Sequence, residues 1–282
     1  MTVLALSNEL KSILTRAGVE NPAGDAELIL EQVLGCTRAL LVAHHLDPIE
    51  PDQADEAVAM ARRRAIGEPI QYVLGSWSFM GRDYRVGEGV LIPRDDTEVV
   101  VRAVLDRMKG VPSPVAVDLC AGSGIIAVTL SAELTNAAVS AVEKSGEAFR
   151  YLEQNAALNN ADITLIHADL CDCTDRIADA SLDLIVSNPP YIPSGEIATL
   201  QSEVQYEPRI ALDGGESGFD FYEQIIALWT PKLKNGGVIA LELGEGQFAH
   251  VSDLLNKHGY TDIRGYEDIQ GTIRAVTAVH TK

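Results

Sequence analysis

Positive charge is scarce in this chain. Only 22 lysines and arginines stand against 41 aspartates and glutamates, for a net charge of −19 and an isoelectric point near 4.6. A protein whose main partner is nucleic acid carries a basic patch or stripe. The basic clusters here are short, such as Arg62-Arg63-Arg64, and that one reads as a solvated helix face. Direct nucleic-acid contact is therefore not expected, and the acidity is compatible with a basic protein partner. Long apolar runs are also missing. None approaches the ~18 residues that span a bilayer, so no membrane association is expected. The first lysine of the N-terminal stretch, Lys11, comes too late for the basic start of a secretory signal. A cytoplasmic location follows. Cysteine is sparse, with four residues: Cys36, Cys120, Cys171 and Cys173. Only the last two are close, and one intervening residue is tighter than the usual spacing of paired metal ligands. The six histidines show no ligand spacing either. Reduced structural thiols and no metal are expected.

What is present is a chain of 282 residues, long enough for a large domain and a small one. Residues 1 to 75 read as helical. Leu6, Leu10, Ile13 and Leu14 recur at helical spacing, as do Leu28, Ile29, Val33 and Leu34, with Pro51 suited to the first turn of a further helix. Residues 76 to 92, with Trp77, Phe79, Tyr84 and Val86, suggest a β-hairpin linker. From residue 93 to 282, strand-like and helix-like runs alternate. The apolar runs are Val115 to Leu119, Ala138 to Val142, Ile163 to Ile166, Leu182 to Val186 and Val238 to Leu243. Helical stretches between them imply a parallel sheet covered on both faces. Tyr260 to Tyr266 and Ile273 to Val279 are too close for a helical crossover, so they pair antiparallel. The expected fold is α/β, a Rossmann-like seven-stranded domain with a small N-terminal helical domain.

Two motifs carry chemistry. The first is Val115-to-Leu130, in which Gly122 and Gly124 turn the chain between a strand and a helix, and Glu143 follows 19 residues later at the end of the next strand. This order suits a nucleoside: glycines let the ligand approach, and the carboxylate accepts from ribose hydroxyls. It leaves NAD and S-adenosylmethionine both open. Asp169, after the third strand, is a further candidate, with a helix N-cap as its structural alternative. The second motif is Asn188-Pro189-Pro190-Tyr191, directly after an apolar run. Two prolines cannot continue a central strand. In a doubly wound sheet the first and fourth strands are neighbours, and ligands bind at their carboxyl ends. The two motifs, 66 residues apart between Gly122 and Asn188, therefore converge. The Asn188 side-chain carbonyl and the Pro189 backbone carbonyl can accept both N–H bonds of a planar NH2 group, and Tyr191 can pack on its face.

The chain resembles, over nearly its full length, the bacterial protein-(glutamine-N5) methyltransferases that modify peptide chain release factors. The resemblance lies in Gly67 to Gly75, Val90 to Glu98, Asp118 to Gly124, Asn188 to Tyr191 and Glu207 to Gly215. It implies an S-adenosylmethionine-dependent enzyme acting on the glutamine of the Gly-Gly-Gln loop of class I release factors. By resemblance, Cys120, Ala121, Gly122, Ser123, Gly124 and Glu143 bind the cofactor, with Asp169, Leu170 and Asn188 beside it. Asn188, Pro189, Pro190 and Tyr191 hold the substrate, and Asn188, Pro189 and Tyr191 carry catalysis. The resemblance and the placement of a small helical module beside the crevice lead us to expect that the front domain docks the release factor, with cover for the sheet edge as its structural alternative; a monomer is expected, though nothing in the sequence itself gives the oligomeric state. Two positions depart from the family pattern: Pro-Arg-Asp-Asp-Thr-Glu at 93–98 replaces Pro-Arg-Pro-Glu-Thr-Glu, and Glu143 replaces an aspartate.

Three other readings compete. A nucleic-acid amino methyltransferase (adenine-N6 or guanine-N2) shares the Asn-Pro-Pro-Tyr stretch but needs a basic face. A NAD(P)-dependent oxidoreductase explains the glycine loop and leaves that stretch without work. A silent adaptor would not need both motifs intact. The 27-residue stretch from Tyr191 to Gly218 is long for a structureless loop and reads as a lid or binding loop, part of which orders only with substrate.

Overall fold

The computed structural model describes residues 1–281. The chain forms two compact units. One comprises Met1–Ser76 with Gln201–Tyr206, and the other comprises Trp77–Leu200 with Glu207 onward.

The first unit is helical: α1 (Val3–Arg16), α2 (Pro22–Leu34), α3 (Arg38–Ala43), α4 (Pro51–Ala65) and α5 (Ile70–Leu74). Thr2 caps α1 by accepting from Ala5 N, and Asn21 caps α2 by accepting from Gly24 N, with Pro22 in its first turn. Leu6, Leu10, Leu14, Ile29 and Leu30 close the core. Inside this unit, buried Arg64 binds Asp25 (Nε–Oδ2, 2.6 Å) and Glu203 (Nη2–Oε1, 2.5 Å). Tyr206 donates its hydroxyl to the Ile66 carbonyl at 2.9 Å. These contacts recruit residues 201–206 from a point far along the chain.

The second unit begins with a hairpin, β1 (Ser76–Phe79) and β2 (Arg82–Arg85), turning at Met80 and Gly81, both with positive φ. Then follow α6 (Asp96–Arg107), β3 (Val115–Leu119), α7 (Ile125–Glu133), β4 (Ala138–Glu143), α8 (Gly146–Leu158), β5 (Ile163–His167), β6 (Leu182–Ser187), α9 (Asp220–Trp229), β7 (Leu233–Glu242), α10 (Phe248–Lys257), β8 (Tyr260–Glu267) and β9 (Ile273–His280). Seven strands form one sheet in the order β5-β4-β3-β6-β7-β9-β8. β3 to β7 are parallel, while β9 runs antiparallel between β7 and β8.

Successive residues of a strand enter opposite cores. Ala116, Leu184 and Val186 pack on one face, and Val117, Ile185 and Trp229 on the other. Both faces are therefore covered, as apolar rather than alternating strands require. The pairing that matters for function is β3 with β6, in register from Ala116↔Leu184 to Leu119↔Ser187. The Ser187 hydroxyl donates to the Leu119 carbonyl at 2.6 Å. The chain thus leaves both strands side by side, at Cys120 and at Asn188.

The stretch after Tyr191 holds three 3-10 turns: Ile197–Thr199, Val204–Tyr206 and Arg209–Ala211. Ile192 bonds back to Leu212 and Gly214 through the backbone, and Ser194 donates to Asp213 at 2.5 Å. Local polar closure substitutes for the missing regular structure.

Candidate functional site

The carboxyl ends of β3, β4, β5 and β6 open into a common cleft, where a doubly wound sheet binds its ligands. Cys120, Ala121, Gly122, Ser123, Glu143, Asp169, Leu170, Asn188 and Pro190 all line it. Gly124, Pro189 and Tyr191 do not.

The turn from β3 into α7 needs left-handed backbone at three residues: Cys120 (φ 59), Gly122 (φ 56) and Gly124 (φ 84). A side chain on Gly122 would meet nothing within 4 Å, so this glycine faces the open cleft. A Cβ on Gly124 would lie 2.4 Å from Leu152 Cδ1. That glycine therefore serves the packing of the turn against α8, not the ligand. Glu143 is buried and clasps the loop: Oε2 accepts from Gly122 N at 2.8 Å, and Oε1 from Ser145 N at 2.6 Å. Burial pushes its carboxyl up, and these backbone N–H groups oppose the shift. Each carboxylate oxygen keeps acceptor capacity for a ligand hydroxyl.

Asp169 is not a helix cap. Its Oδ1 accepts from Cys171 N at 2.9 Å, and its Oδ2 pairs with Lys144 at 2.8 Å. The Cys171 bond leads among the causes holding its carboxyl below the usual range. Leu170 is buried, and its carbonyl accepts from Trp229 Nε1 at 3.1 Å. Apolar Leu170 and Phe221 thus wall the cleft beside the polar groups of Glu143 and Asp169.

At the end of β6, Asn188 donates its Nδ2 to Thr97 Oγ1 at 3.3 Å. This leaves Oδ1 as the face of the amide available to a ligand. Tyr191 is half-buried and points away from the cleft: its hydroxyl donates to Glu242 Oε1 at 3.4 Å, and its carbonyl accepts from Gln247 Nε2 at 2.9 Å. Burial pushes its phenol far above the usual range. Gln247 also accepts from Tyr222 OH and Gly244 N, both at 2.9 Å.

Several lining residues were no part of the sequence expectation for the site. Ile92, Pro93, Arg94 and Thr97 line the cleft from the stretch before and within α6, and Pro208 and Ile210 from the long loop. Buried Glu207 ties these two segments together. It accepts from Ile92 N at 2.9 Å and pairs with Arg94. The two runs, 90–98 and 207–215, stand out in the sequence, but no periodicity says that they meet. Among the described residues no cluster of histidine, cysteine, aspartate or glutamate could hold a metal ion.

The PrmC N-terminal domain family matches residues 5–75, and the methyltransferase small domain family matches residues 95–205. The release factor glutamine methyltransferase of Geobacter sulfurreducens is 39% identical over 98% of this chain and 95% of its own length. That of Moorella thermoacetica is 37% identical over 99% of this chain and 98% of its own. The chain belongs to the release factor glutamine methyltransferase family.

Solved structures carry the fold further afield. A methyltransferase from Pyrococcus furiosus superposes with a TM-score of 0.53 at 18% identity, covering 73% of this chain and 92% of that one. The T. thermophilus rRNA methyltransferase RsmC, solved with AdoMet and guanosine, gives 0.52 at 18% identity, covering 73% and 49%. The likeness to these structures is one of fold alone. The N-terminal helical region and the seven-stranded, mostly parallel sheet are the fold that the sequence led us to expect. No helix among the described residues is long and apolar enough to cross a membrane.

Proposed function

We propose that this chain methylates N5 of a glutamine side chain in class I peptide chain release factors, at their Gly-Gly-Gln motif, with S-adenosylmethionine as donor. Family membership supports the reaction. The observation that carries the reading for this molecule is the register of β3 with β6, which sets the glycine turn and Asn188 at one cleft.

The residues present fit the cofactor. Gly122 presents open space rather than a side chain, Glu143 and Asp169 offer acceptors, and Leu170 and Phe221 offer apolar walls. In this reading Cys120, Ala121, Gly122 and Ser123 contact it from the turn, with Gly124 shaping that turn from behind. S-adenosylmethionine supplies an electrophilic methyl group that needs no activation by the protein.

The protein's own task is to aim a weak nucleophile. The lone pair of an amide nitrogen is delocalised into its carbonyl. Asn188 Oδ1, on a residue that lines the cleft, accepts one N–H bond and raises electron density on nitrogen as it pyramidalises; in this reading the Pro189 backbone carbonyl, which lies outside the cleft lining, reaches the second N–H only once substrate is seated. Pro189 and Pro190 hold φ fixed, so the backbone that follows Asn188 is in place beforehand. Tyr191 acts from behind, where its contacts with Glu242 and Gln247 hold the turn. The nitrogen proton leaves after transfer, when the nitrogen has become acidic, so no strong base is required.

The front helical unit docks the release factor, the protein works as a monomer in the cytoplasm, and nucleic acid is not its substrate. The test is mass spectrometry of a purified class I release factor after incubation with the protein and S-adenosylmethionine. One methyl group on the Gly-Gly-Gln glutamine is expected. Cofactor binding without methylation of the release factor, together with methyl transfer to RNA or DNA, overturns the assignment.

A further inference from the structure

Two segments besides the glycine turn and Asn188 wall the cleft, and a single carboxylate joins them. Ile92, Pro93 and Arg94 line it from before α6, and Pro208 and Ile210 line it from the long loop. Glu207 stands between the two. Its Oε2 accepts from Ile92 N at 2.9 Å, and its Oε1 takes a hydrogen from Arg94 Nη2. All of these residues belong to the second unit.

The bond to Ile92 decides what is left of Arg94. A carboxylate facing a guanidinium often takes it in a two-pronged pair that uses both oxygens. Here one oxygen is taken by the Ile92 N–H, so Glu207 holds Arg94 through Nη2 alone. A guanidinium carries five N–H donors in a fixed fork, and this pairing engages one of its three nitrogens. The Glu207 side chain is 1% exposed and that of Arg94 is 39% exposed. The acid is sealed behind the wall, and the cation stands at its surface.

Charge is unevenly placed along the cleft. Among the described residues two cations line it, Arg94 and Lys144. Lys144 follows Glu143 at the end of β4 and is paired with Asp169 at 2.8 Å. Arg94 belongs to the Asn188 end. Its carbonyl accepts from Thr97 N at 3.1 Å, and Thr97 Oγ1 accepts from Asn188 Nδ2 at 3.3 Å. S-adenosylmethionine joins a nucleoside to an amino-acid arm that ends in a carboxylate. Glu143 and Asp169 are acceptors, suited to hydroxyls and amines and repelled by an anion. A carboxylate leaving water needs a paired charge, and the cation left for it is Arg94.

We propose that Arg94 receives the carboxylate of the cofactor's amino-acid arm, and that Glu207 is the positioning residue that holds its guanidinium for that task. This rests on the reading of the cleft as the S-adenosylmethionine site. A planar fork can serve a protein carboxylate through one nitrogen and a ligand carboxylate through the others, which the point charge of a lysine does not direct. The run from Glu207 to Gly215 then does more than cover the cleft. Its first residue sets how the charged end of the cofactor is met.

The test is calorimetry on the full chain with two ligands, S-adenosylmethionine and decarboxylated S-adenosylmethionine, which differ by that carboxylate alone. The wild type is expected to bind the first about 10- to 100-fold more tightly, the scale of one charge-assisted pair. Arg94→Gln should bind both alike, by weakening only the ligand that carries the carboxylate. Arg94→Lys should restore part of the preference. Glu207→Gln, which can still accept from Ile92 N, should narrow the preference while leaving the Kd of the decarboxylated ligand unchanged. A merely structural role would weaken both ligands equally, and that result in either variant overturns the proposal. So does an undiminished preference in Arg94→Gln, or no preference in the wild type. If Glu207→Gln shows no cooperative melt, Glu207→Asp decides: a narrowed preference supports the positioning role, and a wild-type preference overturns it. A wild type that binds neither ligand would instead defeat the reading of the cleft as the cofactor site.

Discussion

At Asn188 the structure separates two jobs that the sequence merges. Its Nδ2 is committed to Thr97, so Oδ1 alone remains for a ligand. Asn188→Ala should therefore lower kcat by 10²- to 10³-fold, the scale of one lost preorganised polar group, with cofactor affinity little changed. Single-turnover kinetics beside calorimetry checks this. Glu143→Ala should do the reverse. It removes the acceptor proposed for the cofactor and also frees Gly122 N and Ser145 N, so weaker S-adenosylmethionine binding should appear first. Gly124→Ala places a methyl group 2.4 Å from Leu152 Cδ1 at a φ of 84°. We expect a loss of about 1–3 kcal/mol of stability by urea unfolding. Glu143 and Asn188 were legible as candidates because their types and spacing carry chemistry, and both line the cleft. The division between Gly122 and Gly124 was not, because only the neighbouring side chain distinguishes them.

Strands and helices of the second unit were legible because burial on both faces makes each strand an apolar run bounded by helical periodicity. β3 begins and ends at the residues expected, Val115 and Leu119. β7 starts five residues earlier than its apolar core suggests, at Leu233, because Lys234 to Gly237 continue the strand with little apolar content. The long loop was not legible. Its 3-10 turns, three residues each, are too short to leave a period. Its segment 201–206 belongs to the helical unit, tied by Glu203 to Arg64 and by Tyr206 to Ile66. Arg64 is almost fully buried, and removing one partner of a buried charge is costly. Glu203→Ala should loosen this segment, and limited proteolysis should show new cleavage between residues 196 and 206. A cleavage pattern identical to wild type would contradict that anchoring.

Over the whole molecule the acidic sites set how stability responds to pH. Burial pushes the Glu242 carboxyl up to about 7 in the folded state, against 4.5 for an ordinary glutamate. The folded state therefore holds a proton that the unfolded chain releases. The contribution of this group is fully present below about pH 4.5 and is lost as pH rises through about 7. Glu242→Gln removes the dependence. We expect the variant to gain stability over wild type at pH 8 relative to its effect at pH 5, on the order of 2–3 kcal/mol, measured by chemical unfolding at both values.

The sequence by itself determined the strands, the helices and the two motifs, because hydrophobic period and turn chemistry are local properties of a chain. It also determined that the glycine turn and Asn188 share a crevice, since a doubly wound sheet places its first and fourth strands side by side. Only the tertiary structure decided which atoms stand behind those motifs. Glu207 reaches Ile92 and Arg94 from 115 and 113 residues away, and Glu242 reaches Tyr191 across 51. Contacts of such separation follow from how loops close over the sheet, and no short-range pattern encodes them.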